Sequence, residues 1–225
     1  MTELLLALAV FILTHAVSAV RPLRRKAVES IGVRVYTGLY SILSVGVLVW
    51  LGYAYAQAPY IELWVFEPWM RWVPLLLMPL ACLLLVSGLF EPNPLSIGFG
   101  DKDRYDPQRP GIVGITRHPV IWGIGLWALA HLVPNGDAAS VILFSLLLLA
   151  GLAGPVSVDA RRLRVLGKED WDSLASSTSS LPFWSLLKGQ TSLRGLSPAG
   201  VVGGSTLYVA LLILHEWIIG VSPMP

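Results

Sequence analysis

The sequence predicts an all-α protein, a polytopic membrane helical bundle of about six transmembrane helices forming a single membrane domain over residues 1–225, and three observations carry that prediction. The first is composition: 55% of the residues are hydrophobic and 13% charged, with a mean hydropathy of +0.67, whereas soluble domains are about a quarter charged. The second is the recurrence of apolar runs that approach the roughly 20 residues a bilayer-spanning helix needs. The third is the placement of the basic residues, which gather in alternate connections between those runs.

Taken in order, the apolar runs cover about 2–20, 36–57, 70–90, 118–134, 138–158 and 199–221. The first is no cleaved leader, because its N-terminal flank carries Glu3 and its basic cluster follows it. The connection Ala58–Trp69 holds Tyr60, Trp64 and Trp69, the residues of an interfacial belt. From Glu91-Pro-Asn-Pro94 to Pro110-Gly111, proline, glycine and charge predict an irregular loop. Pro119 suits the first turn of a helix, so the fourth run starts there and is the shortest; Pro134-Asn-Gly-Asp137 reads as the tight turn that ends it. The fifth run continues as polar Asp159-Ala-Arg-Arg-Leu-Arg164, with Asp159 one turn before Arg162 and thus its expected ion-pair partner. A Ser-rich stretch then leads to Leu181–Lys188, whose aromatic and aliphatic residues suit an interfacial helix. No repeat and no linker divides the chain, and the lone Cys82 lies within the third run, so no intrachain disulfide forms.

Fifteen of the sixteen Lys and Arg residues fall in the connections around Arg21–Arg34, Lys102–Arg117 and Arg161–Arg194, which an even number of crossings places on one side; Arg71 alone is opposite. The positive-inside rule makes that side cytoplasmic, with both termini periplasmic in a bacterial inner membrane. The lipid bilayer is the implied partner, and a net charge of +2 calls for no nucleic acid.

Ionisable side chains in apolar runs are costly and usually functional. With a rise of 1.5 Å per residue, His15 and His118 share the basic level, while His131, thirteen residues beyond His118, shares the opposite level with His215. Neutral imidazoles converging at one depth are what a metal or haem requires. His15 and His118 are the leading candidates, with His131 and Asp159 secondary; His215, beside Glu216, reads as interfacial. Arg117, Arg161 and Arg162 lie where loops meet helix ends at the His118 level and suit an anionic cofactor group.

Taken together, His15 with Ser18 and Arg21, Gly32-Val-Arg-Val-Tyr36, Gly111–Gly123 around Arg117-His118-Pro119, Trp127-Ala-Leu-Ala-His131, and Asp159-Ala-Arg-Arg162 leading to Leu181-Pro-Phe183 resemble the NnrU family over about residues 10–190. The helix at 199–221 is additional to that region. The family is linked with bacterial nitrate, nitrite and nitric oxide metabolism and is related to plant zeta-carotene isomerase. That resemblance implies haem b held by histidines, carried over to His15 and His118, serving a redox or isomerase reaction beside respiratory or nitrogen-oxide-metabolising membrane proteins. The isomerase has histidines in its fifth span, where this chain reads Leu-Leu-Leu-Leu-Ala-Gly-Leu-Ala-Gly.

The Arg-His-Pro element also resembles isoprenylcysteine carboxyl methyltransferases, which implies S-adenosylmethionine as an alternative cofactor. Two departures count against that reading. Ile121 stands where those enzymes carry tyrosine, and Asp159-Ala-Arg-Arg162 where they carry paired glutamates. A third expectation is a non-catalytic assembly or sensor protein of the respiratory membrane.

Overall fold

The computed structural model describes the backbone of residues 1–225 and all side chains except those of Ser18, Ala19 and Arg21; the Ser18 and Arg21 part of the first-run motif lies outside the described side chains. Helices account for the named elements: α1 (Thr2–Ala19), α2 (Arg21–Ile31), α3 (Val33–Ala56), α4 (Trp72–Phe90), α5 (Pro119–Leu132), α6 (Ala138–Leu166), α7 (Lys168–Ala175), α8 (Trp184–Leu187) and α9 (Pro198–Ile219). Among the described residues the extended structure is a single bridge between Glu62 and Asp137.

Four helical segments are long and apolar enough to cross a bilayer by themselves: α3, the segment Pro68–Phe90 containing α4, α6 and α9. α1 and α2 together make a bent pair that supplies a fifth candidate, and α5 is a shorter apolar helix. The six expected spans coincide in position with α1, α3, α4, α5, α6 and α9. Fourteen residues give α5 a length of about 21 Å, because Pro119 opens it and the turn before Asp137 closes it.

α2 replaces the basic loop expected after the first run. Leu23, Ala27, Val28 and Ile31 recur at helical spacing, which gives an apolar stripe. Pro22 sits in the first turn, and Arg25 pairs with Glu29 one turn on. Its helix stops at Gly32, whose φ of +80° is a conformation that glycine adopts without the Cβ penalty.

Contacts divide the chain into two compact units. The first comprises Met1–Trp64 and Asp137–Leu143. In it α1 packs on α3, burying Leu4, Ala7, Leu8, Val47, Leu51 and Ala54, and the Glu3 carboxylate accepts from Trp50 Nε1 at 3.3 Å. The Asp137 carboxylate accepts the Ser140 backbone N–H at 3.0 Å, and the Ser140 hydroxyl lies 2.7 Å from the Tyr55 hydroxyl. The opening turn of α6 is thereby tied to α3.

The second unit comprises Val65–Gly136 and Phe144–Pro225. α4 is its hub, packed on both α5 and α9. Close approach depends on small residues, as expected where lipid supplies no hydrophobic drive between helices. A Cβ on Gly151 of α6 would lie 2.8 Å from the Gly125 Cα of α5, and one on Gly204 of α9 would lie 2.8 Å from the Leu83 Cα of α4. Leu84 of α4 joins Leu95, Ile112, Val113, Ile115 and Ala175 in a core beneath the loops, flanked by Trp122 and Trp171. That core carries the loop residues that build the site.

Candidate functional site

His118 caps the N-terminus of α5 and is fully buried. Its backbone N–H donates to the Thr116 hydroxyl at 3.2 Å, which itself donates to the Ser180 carbonyl at 2.9 Å. Both ring nitrogens have protein partners: Nε2 lies 2.8 Å from Asp159 Oδ1, and Nδ1 lies 3.0 Å from the Ser96 hydroxyl. With Nε2–H donated to the carboxylate, the Ser96 hydroxyl donates to a neutral ring or accepts from a charged one.

Arg117 completes the cluster. Its Nη2 donates to Asp159 Oδ2 at 2.8 Å, and Nη1 donates to the Thr178 and Ala175 carbonyls at 3.1 and 3.4 Å. The guanidinium carbon stands 5.3 Å from the centre of the Trp171 ring. Along its backbone, Arg117 N–H donates to the Ser179 carbonyl at 2.8 Å and its carbonyl accepts from Asn93 Nδ2 at 3.0 Å. Asp159 therefore spends one oxygen on His118 and the other on Arg117, with side-chain exposures of 21% for Asp159 and 15% for Arg117. Shielding of that order makes the pairing far less screened than a surface bridge.

The expected Asp159–Arg162 ion pair is corrected by this arrangement. Arg162 Nη2 donates instead to the Ser96 carbonyl at 2.7 Å, while the Asp159 carboxylate faces residues from the start of α5. Side chains one turn apart on a helix can reach each other, but a buried His-Arg pair offers a carboxylate two charge-assisted bonds. Arg161 remains exposed beside them.

The remaining histidines are divided between the units. His15, in the first, has Nδ1 2.7 Å from the Phe11 carbonyl and its ring 6.4 Å from that of Tyr40. His131 and His215, in the second, have ring centroids 6.5 Å apart with planes inclined at 23°. Nδ1 of His131 bonds the Trp127 carbonyl at 2.8 Å, and Nδ1 of His215 bonds the Val221 carbonyl at 2.7 Å. Trp127 and Phe144 flank the His131 ring, at 5.1 and 5.5 Å. The sequence placed His131 and His215 at one level; their proximity within the unit goes further than that reading, which took His215 as interfacial.

Two open cavities lie among the polar loops. One of about 410 Å³ is lined by Glu91, Arg104, Tyr105, Asp106 and Arg109; another of about 350 Å³ is lined by Gln108, Ser177, Gln190 and Arg194. Burial pushes the Glu91 carboxyl above the usual carboxylate range. Burial and the Asp106 charge push the Tyr105 phenol up to about 12. Ser96, Asn93, Thr116 and the Thr178–Ser180 carbonyls were missed by sequence reasoning, since loop hydroxyls and carbonyls carry no periodic signal; only Asn93, between two prolines, bears a local mark that could have pointed to it.

Apolar crossing helices, a helix start pinned by a buried His–Asp–Arg cluster, and a separate pair of facing imidazoles define a histidine-bearing integral membrane protein of the all-α class. The sequence profile described as "NnrU protein" matches residues 3–223. The chain belongs to that family. It is also similar to the 15-cis-zeta-carotene isomerase of Zea mays, 33% identical over 101 residues, covering 45% of this chain and 27% of the relative. The enzyme of the same name from Arabidopsis thaliana is 32% identical over 98 residues, covering 44% of this chain and 26% of the relative. The matched region thus spans about a quarter of the length of these curated relatives. No solved structure matches the chain.

Proposed function

We propose that this NnrU-family protein is a haem b-binding protein of the bacterial inner membrane, serving a redox or isomerisation reaction linked to nitrogen-oxide metabolism. The facing pair His131 and His215 is the observation that carries the reading. Each Nδ1 is tied to a backbone carbonyl, which fixes the tautomer and leaves Nε2 as the nitrogen to offer a metal. With ring centroids 6.5 Å apart, His131 and His215 are the two imidazoles that would hold such an iron. Trp127 and Phe144 give that pair an apolar, aromatic flank.

The fit differs at His118. Both its nitrogens are spent on Asp159 and Ser96, so ligation there would break the buried cluster, and Arg117 is likewise committed to Asp159. His131 and His215 are therefore the residues that would hold the iron, with His15 the candidate in the first unit through the same Nδ1-to-carbonyl lock. A haem iron held there would supply electron transfer or nitric oxide binding. The protein's part is to fix the imidazoles and keep them in apolar surroundings. The activity for which these relatives are named, isomerisation of a carotene, supports chemistry on an apolar substrate dissolved in the bilayer.

Visible spectra of the detergent-purified protein, produced with ample haem, test the reading. A Soret band is expected in the wild type, weakened or shifted in both His131→Ala and His215→Ala, and retained in the folded fraction of His118→Ala. Absence of the band overturns haem binding, and S-adenosylmethionine binding in its place would establish the methyltransferase alternative. A band unchanged in both His131→Ala and His215→Ala but lost in His15→Ala moves the ligand to the first unit. The orientation rests on the basic residues: reporter fusions at Lys26, Asp137 and Lys188 should read inside, outside and inside, and a periplasmic reading at Lys188 defeats it.

A further inference from the structure

The segment that follows α7 turns back on the start of α5 and is fixed to it at four points. Arg117 and Phe183 each donate a backbone N–H across the contact, to the Ser179 carbonyl at 2.8 Å and the Ile115 carbonyl at 2.7 Å. The Ser180 carbonyl accepts from the Thr116 hydroxyl at 2.9 Å and from Trp122 Nε1 at 2.8 Å. Trp122 stands in the first turn of α5, an apolar helix, so these bonds hold the segment level with the edge of the apolar crossings. Phe183 is the one non-glycine residue with positive φ among the described residues, at +63°. A bulky residue keeps that conformation only where its surroundings dictate it.

Phe183 caps α8, the single turn Trp184–Leu187, whose first and last residues share a side because positions three apart are neighbours on a helix. Its two sides differ sharply. Ser185 is 1% exposed and Leu186 packs on the core beneath the loops, whereas Trp184 and Leu187 are 48% and 81% exposed. The Lys188 ammonium lies over the Trp184 ring, 4.5 Å from its centre. An indole beside a long-stemmed cation is a pairing suited to the lipid–water boundary, the ring at the headgroups and the charge reaching toward the phosphates. We propose that Trp184 and Leu187 insert into the bilayer leaflet that meets the start of α5, and that this seat holds the Ser179 and Ser180 carbonyls against Arg117, Thr116 and Trp122. None of these residues belongs to the His131–His215 pair.

Spin labels on Leu187→Cys and Gln190→Cys in a Cys82→Ala background, with the full chain in nanodiscs of phosphatidylcholine and phosphatidylglycerol, read depth from collisions with oxygen and with a water-soluble nickel chelate. The label at 187 should favour oxygen, as expected about 5–10 Å into the headgroup and acyl boundary. The label at 190 should favour nickel, since Gln190 lines a polar cavity. Nickel-dominated collisions at 187 overturn the proposal, and so does spin–spin broadening between labels at 187, which would place a second copy over the turn. For the bracing role, Leu187→Asp should speed amide hydrogen exchange at Arg117 and Phe183 several-fold in the same nanodiscs, because expelling the turn opens the bonds that protect them. Exchange in α9 should stay as in the wild type, which separates this effect from general unfolding, and Gln190→Asp should change neither. Exchange at Arg117 and Phe183 unaltered by Leu187→Asp overturns that role.

Discussion

Replacing Asp159 with alanine is expected to destabilise the protein by about 3–5 kcal/mol, the range for breaking a buried ion pair by removing one partner. The loss is large because one carboxylate serves two neighbours: His118 Nε2 and Arg117 Nη2, each at 2.8 Å. Alanine would leave the Arg117 charge enclosed by Trp171 and the Thr178 and Ala175 carbonyls, with no anion and little water. Asp159→Asn keeps the shape and one acceptor, but turns an amide donor toward another donor, so it should fall between wild type and alanine. Removing both charges, as in Arg117→Met/Asp159→Leu, should recover much of the loss, because apolar replacements of a buried pair are often tolerated. Equilibrium unfolding in mixed micelles measures all three. An Asp159→Ala variant within about 0.5 kcal/mol of wild type, the range of ordinary surface substitutions, would mean the cluster contributes no stability.

The second large effect is expected at the α4–α9 crossing. A Cβ on Gly204 would stand 2.8 Å from the Leu83 Cα and 3.1 Å from the Leu83 nitrogen. Those are backbone atoms, which cannot rotate aside as a side-chain tip would. Overpacking at such a position costs about 1–3 kcal/mol for modest additions, and Gly204→Leu adds a whole side chain. In lipid the helices have close packing as their main reason to associate, so α9 should leave α4 rather than deform it. Cys82, fully buried on α4 and the sole cysteine, reports the event: N-ethylmaleimide should label it slowly in wild type and much faster in Gly204→Leu, with Gly204→Ala intermediate. Equal labelling in all three would show that α9 does not need this contact.

Much of the helix map was legible because lipid-facing helices are written as uninterrupted apolar runs, and because Pro119 and Pro134-Asn-Gly-Asp137 punctuate the shortest of them. α2 escaped because Arg24, Arg25, Lys26 and Glu29 interrupt the short apolar spacing of Leu23, Ala27, Val28 and Ile31. At the site, sequence identified Arg117, His118 and Asp159 but paired Asp159 with the wrong arginine. Local helical spacing is visible in a sequence; a contact across 41 or 42 residues is not. The same limit explains why Ser96, which bonds the other ring nitrogen of His118, went unremarked. For His131 and His215, separated by 84 positions, depth counting put them level, yet only packing of α5 and α9 about α4 brings the rings together.

The seat of α9 on α4 also bears on how the chain is made. About a hundred residues separate the end of α4 from the start of α9, and at about 5–20 residues per second a ribosome needs about 5–20 s to deliver them. During that interval Ser87 and the Glu91 carboxyl, which will close against Gly200, have no helix over them. The nascent chain must wait with a polar notch open at the side of an otherwise apolar helix. A membrane insertase or holding chaperone that tolerates such a notch would find its binding window there, and would be released by the arrival of the last helix.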